Sequence, residues 1–300
     1  MTAGGDQLDL FRDSRAVMLA NEMIDALLAA DLDRAADALE RLRAEEPAHA
    51  ALDAFRCLLR ELLESPCLAH DTAEVMAAVR RLESEIEPAA RSALGDRAAQ
   101  FMRARWHELA DAARNLSYDA TAPQGYCAEL FLRCDQAQAA AEAAESIPDW
   151  RRNADALFWH ALACYRAGRP GQSLQSAMRL ALVAPTRLPT ALAQIRDAAL
   201  DRDWAAFRVQ CDWLEPDDDS APAWFPAWYL VEHSGAGPLL DERGELPDTR
   251  PARAASQLAR LLVLEKHGYS PELVSARARL RDVDRQLFEH YMTRRQVGHR

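Results

Sequence analysis

The chain has 300 residues, 49% hydrophobic and 28% charged, enough apolar material for a buried core and too much for a disordered chain. Its 36 basic residues against 47 acidic ones leave a net charge of −11, which argues against a general nucleic-acid coat or a binder of anionic membranes. No run of 18 apolar residues occurs, so no segment is expected to span a membrane. Met1 to Asp13 lacks the basic start and apolar stretch of a secretory leader, and a cytoplasmic protein is expected.

The pattern is helical almost throughout, with no alternating strand. Val17, Met18, Leu19, Met23, Ile24, Leu27 and Leu28 recur with a helical period over 15–29, behind Asp13 or Ser14 as cap. A second amphipathic helix is predicted over 32–45, with Ala35, Ala36, Leu39 and Leu42 on one side. Pro47 ends it and opens a third helix that runs through Leu63. Further helices are predicted at about 70–86, 89–116, 123–133, 136–146, 151–167, 171–184, 187–200 and 203–214. An acidic break follows at 215–219, then an aromatic segment over 223–231 and a Gly/Pro-rich loop over 234–250. Two last helices, 252–267 and 271–296, are predicted to form a small C-terminal helical unit, 251–300. Residues 250–300 carry ten Arg and Lys266 against five acids, net +6, so the remainder is −17. Such a basic cap could hold an acidic body or an acidic partner, or be solvated helix faces.

Two stretches resemble the tetratricopeptide repeat, a 34-residue helix–turn–helix unit. In the clearer one, Phe158 to Pro185, Gly168 sits in the turn and Pro185 follows 17 residues later. Ala161, Ser173 and Ala177 supply the small residues of close helix approach. In the other, Met18 to Pro47, Ala30 replaces the turn glycine. A weaker match runs over 137–144 and ends at Pro148. The signature aromatics are displaced; Tyr165 falls one residue late. The resemblance implies an all-α, degenerate tetratricopeptide-like solenoid of helical hairpins over 13–214. The alternative is an ordinary Ala-rich helical bundle.

Active-site signatures are sparse. There is no phosphate-binding loop and no G-x-S-x-G elbow. His107 and Asp111 are four apart and could share a metal, but no third ligand is identifiable. His49 follows Glu46 at a metal-carboxylate spacing that Pro47 interrupts. Six cysteines form no C-x-x-C pair and are expected to be reduced and buried. No catalytic residue, metal or cofactor is expected. The candidate partner groove is Phe158, Leu162, Tyr165 and Arg166 on the first helix of the clearer repeat, with Trp224 and Trp228 in the aromatic segment. The competing expectation for these large aromatics is core packing. The repeat family's basic–Asn clamp for a carboxylate is missing from the face of Asp155, Phe158, Leu162, Tyr165 and Arg166.

One short motif is sharp. Gln7-Leu8-Asp9-Leu10-Phe11 resembles the peptide by which many bacterial proteins bind the replication sliding clamp, Gln-Leu-(Ser/Asp)-Leu-Phe, at all five positions. That resemblance implies a flexible tail, 1–12, whose Gln makes polar contacts while Leu10 and Phe11 fill an apolar cleft. The same two residues would also suit a hydrophobic staple before the Asp13/Ser14 cap. The function expected is therefore a protein–protein interaction scaffold, with the sliding clamp as a partner and no direct nucleic-acid contact. The other functions in view are an accessory scaffold of a secretion or envelope system, and an enzyme whose site is assembled from dispersed groove residues.

Overall fold

The computed structural model describes residues 5–64, 71–211, 220–234, 240 and 245–297, with side chains described from Arg15 to Gln296. The described residues are all-α, with no strand among them. Each helix has a local cause, and the chain divides into two compact units, 1–136 and 137–300.

In the first unit, α1 (Gly5–Leu28) and α2 (Leu32–Glu45) are joined by three residues. Ala30 takes a left-handed conformation (φ 53°). Asp31 N–H then reaches back to the Ala26 carbonyl at 2.9 Å, and Ala30 N–H to Leu27 at 3.2 Å. This closes the helix end with the paired bonds that glycine usually provides. Asp31 caps α2 by accepting from Arg34 N–H. Ala35, Leu39 and Leu42 are buried, as their spacing predicts, where α2 packs on α1 and α3 (Leu52–Glu64). α4 (Thr72–Arg81) runs through a π-helical turn, Leu82–Ile86, into α5 (Glu87–Leu94). Pro88 has no N–H and its ring crowds the carbonyl four residues back; the wider turn, with Glu87 N–H on Leu82, relieves both. Gly95 (φ 55°) separates α5 from α6 (Ala98–Ala113), where one helix over 89–116 was predicted. α7 (Cys127–Arg133) packs on α6.

The second unit is built around α9 (Ala154–Arg166). Every residue from Ala156 to Cys164 is buried. α8 (Ala137–Glu145), α10 (Pro170–Val183) and α11 (Leu188–Ile195) all pack on it. The α9–α10 connection is again three residues. Gly168 (φ 72°) donates to Tyr165 at 3.0 Å, and Arg169 N–H to Cys164 at 2.8 Å. α12 (Ala198–Gln210) starts at the Asp197 cap, so the break falls at Arg196 (φ 56°) rather than after residue 200. α13 (Phe225–Glu232) then joins α10 to α14 (Arg250–Lys266) and α16 (Arg285–Val297), with α15 (Pro271–Val283) between the last two. The single helix expected over 271–296 is two. Asp284 leaves the helix (φ −153°, ψ 114°) and caps α16 by accepting Leu287 N–H at 2.7 Å. Arg250 pairs with the buried Asp284 at 2.8 Å, which compensates that carboxylate.

Candidate functional site

Within the buried run of α9, Ala156 to Cys164, His160 is the one ionisable ring. A buried imidazole costs free energy unless both ring nitrogens find partners. Here Nδ1 lies 2.7 Å from Ser176 Oγ on α10, and Nε2 lies 2.9 Å from Glu145 Oε1 at the end of α8. The Glu145 carboxylate only accepts, so Nε2 carries the proton and the Ser176 hydroxyl donates to Nδ1. The Trp150 ring lies 4.6 Å from the imidazole. Burial holds His160 below the usual imidazole range, with the Glu145 carboxylate opposing. Cys164, 3.4 Å from Nε2, has its thiol pushed up to about 11 by burial.

Glu145, Trp150, His160 and Ser176 wall a cleft of about 440 Å³. Arg179, buried, donates to the Arg151 and Glu245 carbonyls at 2.6 and 3.0 Å and tethers the surrounding backbone. Ser176, His160 and Glu145 have the order of a hydroxyl–imidazole–carboxylate relay. Acyl transfer needs in addition oriented N–H donors for the oxyanion. Ser176 is in the second turn of α10, past the first four residues, where backbone N–H groups are spent on the helix. Its hydroxyl is buried as well. The arrangement supplies a satisfied polar link between three helices.

A second, smaller cleft of about 240 Å³ opens between α9, α10, α12 and α13. Tyr165 and Tyr229 line it with Asp197 and Asp203, over Leu174 and Leu200. Tyr165 donates to Asp197 Oδ2 at 3.3 Å. Asp203 meets His233 at 3.1 Å, and the His233 ring lies 4.2 Å from Tyr229. Backbone N–H groups of Leu200 and Ala199 hold Asp197 below the usual carboxylate range. Burial and then the Asp203 and Asp197 charges raise Tyr229; burial and then Asp197 raise Tyr165.

Of the residues predicted to line a groove, Phe158, Leu162, Trp224 and Trp228 are buried. Arg187 lies over the Phe158 ring at 5.0 Å and pairs with Asp155. Trp228 stacks on Phe225 at 5.8 Å and donates to Gln210 at 3.2 Å. Trp224 lies under Arg250, 5.7 Å away. These four rings and chains are core, and the groove expectation is corrected for them; large apolar side chains gain more from burial than a groove returns. Tyr165, half-buried, and Arg166, exposed, stay at the surface.

The backbone of Gln7, Leu8, Asp9, Leu10 and Phe11 forms the first turns of α1, where a tail was expected. Their side chains lie outside the described residues, as do Cys67 and Trp213. His107 pairs with Asp111 at 3.2 Å on the exposed face of α6. His49 Nδ1 accepts from Ala51 N–H at 3.2 Å. Among the described residues no group of three His, Cys, Asp or Glu is placed to hold a metal. No helix among them is long and apolar enough to cross a membrane. Five described cysteines are free thiols, with Cys57 half-buried and Cys127, Cys134, Cys164 and Cys211 buried. Compared with protein-family models, curated proteins and solved structures, the chain matches none.

The His160 cluster and the Asp197–Asp203 cleft escaped the sequence reading because their members come from several helices. One signal was legible: a histidine inside the apolar run Leu157 to Ala163 must be partnered.

Proposed function

We propose that the chain is a non-enzymatic, cytoplasmic protein–protein interaction scaffold. It is a degenerate array of tetratricopeptide-like hairpins, tethered to the replication sliding clamp through Gln7–Phe11. The observation that carries the scaffold reading is the pair of matched hairpins. Ala30 and Gly168 both take the left-handed turn, each closes its first helix with the same two backbone bonds, and each precedes a proline, Pro47 or Pro185, by 17 residues. Asp135 (φ 60°) takes the same conformation 33 residues before Gly168, close to one repeat length. The buried Ala161, Ser173 and Ala177 fit the close helix approach that the repeat requires.

The tether rests on the five-residue match alone. Its extended bound form requires the first turns of α1 to open, a small cost at a helix terminus. Titration of the full chain against the organism's sliding clamp tests it. Micromolar binding is expected, about −8 kcal/mol. Leu10→Ala with Phe11→Ala should abolish it while leaving the thermal melt unchanged. Absence of clamp binding, with a melt lowered by the double change, would make these residues a helix lead-in and end the tether.

A further inference from the structure

We propose that the Tyr165–Tyr229 cleft is a binding site for a guanidinium group, the side chain of an arginine on a partner polypeptide. Its size limits the occupant. Pockets for drug-sized ligands and cofactors run to about 300–1,000 Å³; at about 240 Å³ this cleft is too small for them and large enough for one long side chain. Its lining fixes the charge. Asp197 and Asp203 provide two carboxylates, and among the described residues no Lys or Arg lines the cleft. Arg202 and Asp201 lie near enough to affect Asp197 and Tyr165, but neither is a wall of the cavity.

The rings select the kind of cation. Tyr165 and Tyr229 are half-buried, with their bodies in the wall. A tyrosine face attracts a cation, and a planar guanidinium stacks on it while its N–H fork reaches carboxylates. An ammonium has the charge without the plane. Asp197 and Asp203 are six residues apart on the first turns of α12 and its cap, so one rigid element sets their separation. Apolar Leu174 and Leu200 beneath would take the methylene stem. Burial is the main cause of the raised phenols of Tyr165 and Tyr229, and the Asp197 and Asp203 charges add to it.

The cleft lies beside Tyr165, the one groove aromatic left at the surface, so it gives the scaffold reading the chemistry of a partner's anchor. That the occupant belongs to a protein rests on that reading. The test below depends on neither the clamp nor any partner, so either proposal can fail alone.

The probe is N-acetyl-arginine methylamide, titrated into the isotope-labelled full chain at constant ionic strength and followed by amide NMR shifts. Saturable shifts confined to residues around 165, 197–203 and 229 are expected. The uncharged citrulline analogue should bind at least fivefold more weakly, and the lysine analogue more weakly than arginine. Asp203→Asn should weaken the arginine probe at least fivefold. Asp197→Asn should do likewise, and since Asn caps helices as Asp does, α12 is preserved. Tyr229→Phe should retain binding and Tyr229→Leu lose it. Equal response to arginine and citrulline, shifts that do not saturate, or binding unchanged in both Asp→Asn variants would overturn the site. Equal binding of lysine would overturn the assignment to guanidinium.

Discussion

The α1–α2 and α9–α10 hairpins share a three-residue connection and the same helix-closing bonds, yet differ in what surrounds them. α9 is covered by α8, α10 and α11, and its central run, Ala-Leu-Phe-Trp-His-Ala-Leu-Ala-Cys, is buried around the whole circumference and apolar but for His160. α1 packs on α2, α3 and α6 and leaves Val17 and Met18 exposed at 57% and 69%. Each helix meets three others, so what differs is how much of its circumference they cover, and the apolar faces follow that coverage. The turn residue follows a different rule. Both turns need positive φ, but only α9–α10 supplies glycine, so α1–α2 carries a strain that α9–α10 does not.

Core truncation should separate the two hairpins most strongly. Leu42 and Leu162 are both buried, at 0% and 1% exposure. Leu42→Ala and Leu162→Ala should each cost about 2–5 kcal/mol. The chain divides into units at 136/137, so each change should destabilise its own unit. Amide hydrogen exchange reads this directly. Leu162→Ala should speed exchange across α8–α11, and Leu42→Ala across α1–α3. Uniform acceleration over both units in either variant would show one cooperative block instead.

The helices themselves were legible in the sequence where cap and period agree. α2 is predicted over 32–45 and observed there, because Asp31 caps it and Pro47 prevents its continuation. All-α character and the burial of Ala35, Leu39, Leu42, Ala161, Leu162 and Ala177 follow from the same periodicity. Interruptions were less legible. Asp284 splits the last predicted helix because its carboxylate is worth more as a cap paired to Arg250 than as a helical surface group. Arg196 in the left-handed region has no sequence signal of the kind Gly168 gives. The clefts were least legible. Glu145, His160 and Ser176 stand on three helices, and only their packing makes them neighbours.

The His160 cluster distinguishes the units by pH. Burial depresses the folded-state pKa of His160, so the neutral ring is the form that the fold prefers. The unfolded ring titrates near about 6.5. Stability of the second unit should be constant above that value and fall as pH drops below it, levelling once the folded ring is itself protonated. His160→Gln keeps a donor and an acceptor and removes the titration. Chemical denaturation at pH 7.5 and at pH 5.5 should show a smaller loss in the variant than in the wild type. An identical loss in both would place the acid sensitivity elsewhere.

The turn residues offer the smallest effect and the sharpest contrast. A Cβ added at Gly168 would meet no atom within 4 Å, so Gly168→Ala introduces no clash; it adds the cost of positive φ, part of which the stiffer unfolded chain offsets. That cost is about 1–2 kcal/mol for a non-glycine residue. Ala30 already bears it. Ala30→Gly relieves it, while the greater freedom of glycine in the unfolded chain returns part of the gain, leaving about 0.5–1 kcal/mol of stabilisation. The two single changes should therefore move the melt in opposite directions by similar amounts. They lie in different units, so the double variant should show their sum. Should Ala30→Gly destabilise, the Ala30 side chain would be worth more in its contacts than its backbone costs. The equivalence of the two turns would then hold in backbone shape but not in energy.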